Sequence, residues 1–411
     1  MDDLSKRFDS LTPEQRALLE LRLKQQGLAA SVAQASAVTE IEETEASARE
    51  DNHVENADWK AKSVEKALRF SLYFFSDDGS RASDEKYRLV LESAKYADEH
   101  GFSAVWTPER HFQDFGGLYP NPSVLSAALA VLTRRVQIRA GSVALPLHHP
   151  VRVAEEWSVV DNLSKGRAAV SFASGWHPDD FIFAPENYEE RKAVMYRHIE
   201  LVQRLWAGET VELPGVDGNV VAVKVLPRPV QPRLPMWVTS AGNPETWTRA
   251  GEIGANVLAA LIGYSFEDLR ERINNYRKAR ERAGHDPHTG IVSMMLHTFV
   301  GDSNAVVKEK VRVPFTHYLG TYFKQYENVR LDAESVTAAD REAIAAAAFE
   351  HYFDNLTLMG TPAKCSRVIE PMIAAGVNEV ACLVDFGVEH EAVLESLHHL
   401  NELREHYDKA N

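Results

Sequence analysis

The 411-residue chain has only two cysteines, Cys365 and Cys382, too few for a disulfide framework, so a reducing, cytoplasmic setting is expected. Positive charge is also scarce: 45 Lys and Arg against 60 Asp and Glu leave a formal net charge of −15, with no basic footprint for nucleic acid. No uncharged run is long enough to span a bilayer, and the first residues are polar and acidic, unlike a signal peptide, so no membrane partner is expected. No Cys/His cluster has zinc spacing, and no metal is expected. No Gly-x-Gly-x-x-Gly follows a strand-like segment, which removes the dinucleotide fingerprint. What remains is 45% apolar and 26% charged, the composition of a folded globular chain and not of a disordered or membrane-embedded one.

The first 65 residues differ from the rest. Thr12-Pro13-Glu14-Gln15 forms a capping box with proline at the first helical position; Leu18, Leu19, Leu21 and Leu23 follow, and Gly27 stops the helix. A helix this short is unstable alone, so residues 1–30 are expected to be a docking-type helix. Residues 31–65 are rich in Glu and poor in large apolar groups, an acidic flexible linker. Residues 66–411 are expected to form the main domain.

From Leu68 onward strands alternate with amphipathic helices. Strands are expected at Leu68–Phe75, Ser103–Trp106, Val136–Val143, Ala168–Ala173, Met236–Thr239, Ala255–Ala259, Ile291–Val300 and Glu379–Val384. Between them lie helical patterns, such as the one capped by Ser83 with Tyr87, Val90, Leu91, Ala94 and Ala97 on one apolar face. A hairpin-like insertion covers Val211–Leu213 and Val220–Val225. Residues 303–353 read as a long Ala-rich helical stretch, and 320–345 as a candidate lid. About eight strand–helix units predict an α/β fold, a (β/α)8 TIM barrel, with function on the loops after the strands. An open doubly wound sheet is the alternative.

The loops after the strands carry the candidate chemistry. Pro108 ends the second strand, and Glu109, Arg110 and His111 follow at once. Alone, this tip would read as a surface turn with solvated charges; at a barrel mouth the three groups are candidates for pairing with each other or with a ligand. The third strand runs into Ala140-Gly141-Ser142 and the fourth into Ser174-Gly175-Trp176-His177, where small residues let a flat ring approach the backbone. Ser240-Ala241-Gly242-Asn243 precede a helix and would offer backbone N–H groups to a phosphate, or serve as an ordinary N-cap. Together these strand ends describe a bed for a planar, phosphorylated cofactor.

Residues 105–121 (VWTPERHFQDFGGLYPN), 145–167 (LPLHHPVRVAEEWSVVDNLSKGR), 174–181 (SGWHPDDF) and Met359-Gly-Thr-Pro362 resemble the bacterial luciferase-like flavin monooxygenases, in consistent order over about residues 67–400. SGWHPDDF and TSAGNPETW are most similar to the subgroup associated with polyketide and nonribosomal peptide biosynthesis. The N-terminal LTPEQRALLELRLKQQG is similar to a short helix that often borders modules in those megasynthases. The resemblance implies a TIM barrel that binds reduced FMN and uses O2 through a flavin C4a-hydroperoxide. It implies Ala140, Gly141 and Ser142 under the flavin ring, with a non-proline cis peptide as in relatives, Ser174, Gly175 and Trp176 beside the ring, and Ser240–Asn243 on the phosphate.

Luciferase has two adjacent histidines after its second strand. Arg110 stands in place of the first here, and His111 matches the second; the reactive cysteine place is Ala173. Light emission is therefore not expected, but flavin and oxygen chemistry is, with His111 as acid/base, Arg110 as cation and Glu109 as orienting group. A separate flavin reductase would supply the reduced cofactor. The substrate would be a natural-product intermediate, free or carrier-bound, undergoing N- or C-hydroxylation or Baeyer–Villiger insertion, and relatives are commonly homodimers. The alternatives are an F420-dependent hydride-transfer oxidoreductase of the same superfamily and a non-catalytic flavin-binding scaffold.

Overall fold

The computed structural model describes residues 67–76, 85–261, 265–330 and 348–408, with no side-chain description for 322–330. The expected helix 1–30, the linker 31–65 and the cap Ser83 lie outside these residues, as does most of the candidate lid.

Strand–helix alternation leaves the strands apolar on both faces, and such strands are stable only when helices cover the sheet. Eight parallel strands do this by closing into a barrel: β1 (Arg69–Tyr73), β2 (Ala104–Thr107), β3 (Gln137–Ala144), β4 (Ala168–Ala173), β7 (Met236–Ser240), β8 (Asn256–Ala260), β9 (Val292–Val300) and β11 (Glu379–Leu383). Pairing runs β9-β11-β1-β2-β3-β4-β7-β8, and a β8–β9 ladder closes the ring. Helices α1 (Arg88–Glu99), α2 (Pro122–Leu132), α3 (Pro150–Ser164), α4 (Arg191–Ala207), α5 (Pro244–Glu252), α6 (Phe266–Arg282), α7 (Asn304–Arg330), α8 (Pro362–Ala375) and α9 (His390–Asp408) follow the strands. An antiparallel hairpin, β5 (Val211–Pro214) with β6 (Val220–Val223), interrupts the alternation after α4. A short strand that the sequence did not suggest, β10 (Leu358–Gly360), extends the sheet from the far end of β9.

Helix boundaries follow local chemistry. The Asn121 side chain accepts the backbone N–H groups of Ser123 and Val124 at the start of α2. Ser265 and Asp268 cap α6 reciprocally, and Thr361 accepts from the Lys364 N–H to start α8. The helix expected from Ser83 begins at Arg88 without a side-chain cap, and Tyr87 is largely exposed, so it is not part of the apolar face.

The lower part of the barrel interior is polar. Arg139 on β3 donates to Glu379 Oε1 on β11 at 2.6 Å, and both side chains are shut away from solvent. Glu379 also accepts from the hydroxyls of Ser71 (2.9 Å) and Ser103 (3.2 Å). The guanidinium packs against the rings of Trp106 (4.6 Å) and Trp237 (4.4 Å), whose indole N–H groups donate to Ser71 and Ser293. Burial pulls the Arg139 pKa below its ordinary range, an effect that Glu379 opposes.

Glu379→Gln is expected to cost about 3–5 kcal/mol, because it leaves a buried guanidinium uncompensated. A double replacement of Arg139 and Glu379 by apolar residues of similar volume should recover much of that loss. Urea unfolding of the two variants checks this, and equal loss in both would contradict it.

Candidate active site

Proline at 108 stops β2 and turns the chain across the barrel mouth. The turn is pinned from two sides: the Arg110 N–H donates to the Tyr119 carbonyl (2.8 Å), and the Tyr119 hydroxyl donates to Asp385 Oδ2 (2.9 Å) beyond β11. Asp385 also accepts the backbone N–H groups of Phe75 (2.9 Å) and Ser76 (3.2 Å), so one buried carboxylate ties together the loops after β1, β2 and β11.

In that frame the Glu109 side chain is 1% exposed and fully engaged. Its Oε1 lies 2.9 Å from His111 Nε2 and 2.5 Å from His148 Nε2, and its Oε2 accepts the Ala144 N–H at 2.7 Å. Burial pushes the carboxyl up, but the hydrogen bonds from His111 and His148 outweigh it and hold the group below its ordinary range. For His148 burial acts downward, and the contact with Glu109 raises the imidazole above its ordinary 6.5. Of the two neighbours that Glu109 was expected to hold, Arg110 and His111, it is His111 that its carboxylate contacts. Its second partner, His148, escaped the sequence reading because it lies 39 residues further on and reaches Glu109 only through the β2–β3 pairing.

Arg110 is buried under aromatic rings, with its guanidinium 4.7 Å from Phe75, 5.1 Å from Phe115 and 5.8 Å from Trp176. Asp180 stands nearby in the segment after His177. Burial raises its carboxyl above the usual range, while His111, His177 and Arg110 act in the opposite direction. Phe183 meets the His111 ring edge-on at 4.9 Å and Phe112 at 5.7 Å.

The bed opposite is made of small residues. Gly141 and Ser142 are joined by a cis peptide bond. A Cβ on Gly141 would lie 2.7 Å from the Tyr73 ring, so only glycine fits there. The Tyr73 hydroxyl donates to the Gly141 carbonyl, and burial pushes its pKa up, so it remains a donor. The Ser142 and Ser171 hydroxyls both bond to Thr239. At the far side, the Asn243 side chain caps α5 by accepting from the Glu245 N–H (2.9 Å), and the Gly242 carbonyl accepts from Arg272 (3.0 Å).

Part of this set lines a cavity of about 220 Å³ at the carboxyl ends of the strands. Of the expected residues, Glu109, Arg110, His111, Gly141, Ser142, Gly175, Trp176, Ser240 and Ala241 face it. Ala140 is buried inside β3, and Ser174, Gly242 and Asn243 stand outside the lining. Tyr73, Phe75, Asp180, Thr239, Met295 and Tyr318 also line it; Met295 and Tyr318 lie outside every motif quoted above, whereas Asp180 stands within SGWHPDDF and Thr239 opens TSAGNPETW. Beside Tyr318, His297 is enclosed by Phe315 and Phe386; burial pushes it down to about 3, so it stays neutral. Among the described residues, no group of three or more His, Cys, Asp or Glu could hold a metal ion, and no helix is long and apolar enough to cross a membrane.

Barrel and cavity together define a TIM-barrel enzyme with its site at the strand ends. The chain belongs to the luciferase-like monooxygenase family, whose model matches residues 68–379, and is a luciferase-like flavin-dependent monooxygenase. It is 26% identical over 339 residues to the oxygenase component of the flavin-dependent trigonelline monooxygenase of Acinetobacter baylyi, covering 80% of this chain and 92% of that protein. The crystal structure of monooxygenase RslO1 from Streptomyces bottropensis superposes with a TM-score of 0.65 at 26% identity, over 82% of this chain and 98% of that one. The oxygenating constituent of 3,6-diketocamphane monooxygenase from Pseudomonas putida, solved with FMN, gives a TM-score of 0.65 at 18% identity, over 84% and 97% of the two chains.

The two shifted groups set a pH window for stability. Glu109 has a lowered folded pKa, so its contribution is present above its ordinary 4.5 and lost as pH falls through the folded value. His148 has a raised folded pKa, so its contribution is complete below its ordinary 6.5 and lost as pH rises through the folded value. His148→Gln should therefore lower the melting temperature most between about pH 5 and 6.5, and progressively less in alkali. A melting difference that stays constant from acid to alkali would contradict this coupling.

Proposed function

We propose that this chain is the oxygenase component of a two-component, FMN-dependent monooxygenase acting on a natural-product biosynthetic intermediate. One observation carries the reading: a buried carboxylate–imidazole pair, Glu109–His111, beside the cation Arg110, facing a bed of Gly141, Ser142 and Gly175 across an apolar cavity. Reduced FMN with O2 would supply the oxygen atom that is transferred. The residues present fit such a group. The small side chains on β3 and after β4 leave room for a flat ring, with Ala140 behind them and Trp176 and Ser174 at its side. Ser240 and Ala241, followed by Gly242 and Asn243 at the start of α5, would hold the phosphate through backbone N–H groups and a helix N-terminus.

The protein's own residues then have separate tasks. Phe75, Trp176 and Tyr318 exclude water, which strengthens every charge interaction inside. Arg110 supplies a permanent cation where negative charge develops. His111, with its Nε2 held by Glu109, exchanges a proton at Nδ1. The absence of a dinucleotide fingerprint, and the relative named as an oxygenase component, support a separate reductase as partner. The segments SGWHPDDF and TSAGNPETW support a substrate from polyketide or nonribosomal peptide assembly, free or on a carrier protein.

The test is to mix the protein with chemically reduced FMN and air and to follow absorbance by stopped flow. Flavin reoxidation slower than in free solution is expected, and reoxidation at the free rate would count against the assignment. With a substrate in hand, His111→Ala should reduce oxygenation on the order of 100-fold. Hydride transfer to or from F420 without O2 uptake would instead place the chain among the deazaflavin enzymes.

A further inference from the structure

We infer that Glu109, His111 and His148 work as one charge-balanced unit, in which His148 is a positioning residue that releases a proton to solvent when His111 takes one up from the cavity. The inference deepens the proposed function by giving His111 a route for its proton.

The geometry dictates the hydrogen positions. Glu109 accepts three bonds, two at Oε1 from imidazole Nε2 atoms and one at Oε2 from the Ala144 backbone. A carboxylate holding three donors stays ionised, so each imidazole must present Nε2–H to it. The Nδ1 atoms are then the only positions left for proton exchange. The two imidazoles differ in access: the His111 side chain is 8% exposed and faces the cavity, whereas that of His148 is 32% exposed.

Charge balance links the two Nδ1 atoms. One carboxylate and one imidazolium make a neutral buried cluster; a second imidazolium would leave a net positive charge in a poorly solvated site. His148 has the better access to water and is the natural holder of the single charge, in keeping with its raised affinity for protons. When His111 gains a proton at Nδ1, His148 loses one from its own Nδ1 to solvent. One proton enters from the cavity, one leaves to water, and Glu109 stays anionic with both Nε2–H bonds intact. The other charged groups facing the unit are Asp180, Arg110 and His177 on the His111 side, and Glu156 of α3 toward His148. Glu156 is itself held by Arg152 (2.8 Å) and Ser123 (2.8 Å).

The test needs neither flavin nor substrate. Imidazole ¹⁵N and ¹H shifts would be followed from about pH 5 to 9 in the full chain, for wild type, His148→Gln and His148→Lys. In the wild type both Nε2 atoms should stay protonated throughout; a His148 carrying its proton on Nδ1 alone would overturn the inference without any variant. In His148→Gln the cluster loses its balancing cation, and the His111 midpoint should rise by about one pH unit. In His148→Lys the cation no longer titrates near neutrality, and the midpoint should fall below that of the glutamine variant by a similar amount. A merely structural His148 would not separate the two variants, and equal His111 midpoints in the glutamine and lysine variants would sink the proposal. Because these readings come from flavin-free protein, failure of the monooxygenase assignment in the stopped-flow experiment would leave them standing, and the reverse also holds.

Discussion

Two charges inside a barrel must find each other or the barrel is lost. Arg139 and Glu379 sit on strands that are not neighbours, β3 and β11, and meet across the interior at 2.6 Å. Dehydrating either alone costs several kcal/mol, so the pair is tolerable only when the strands hold their register and the serine hydroxyls satisfy the remaining lone pairs. Trp106 and Trp237 pack against the guanidinium and are themselves anchored through Ser71 and Ser293. This polar layer fills the lower barrel and leaves the space above it to the cavity. The residues that bound that space, such as Tyr73, Gly141 and Thr239, lie further along the same strands.

The cavity repeats the same physics with a functional outcome. Glu109 is as buried as Glu379, but its partners are imidazoles, whose charge changes near neutral pH. A guanidinium–carboxylate pair keeps its charges across the neutral range, whereas the imidazoles beside Glu109 can gain or lose a proton within it. Asp385 does a quieter job, tying the loops after β1, β2 and β11 so that Glu109 and His111 stay in place over the bed.

Much of the fold was legible in the residues. Strand–helix alternation marks the elements along the chain, and the eight expected strands correspond to β1–β4, β7–β9 and β11. Glu109 and His111 could be found because they are two residues apart and follow a strand-stopping proline. The misses share a different cause. Tyr318 reaches the cavity from α7 and lies in no quoted motif, Asp180 and Thr239 stand inside SGWHPDDF and TSAGNPETW, which do not say which side chain turns inward, and His148 enters only through its contact with Glu109. Ser83 and Tyr87 suggested a longer first helix than Arg88–Glu99, because propensity and spacing carry no information about which turn packs on the barrel.

By itself, the sequence determined the class of architecture and the family, since periodicity and local motifs are properties of neighbouring residues. It also placed small residues and ionisable groups at strand ends, where a barrel puts its chemistry. Only the tertiary structure decided which groups touch: that Glu109 joins His111 to His148, that Arg110 lies among aromatic rings, and that Asn243 caps its helix. These pairings depend on barrel closure, which brings residues tens to hundreds of positions apart within hydrogen-bond distance, and burial then makes the contacts strong.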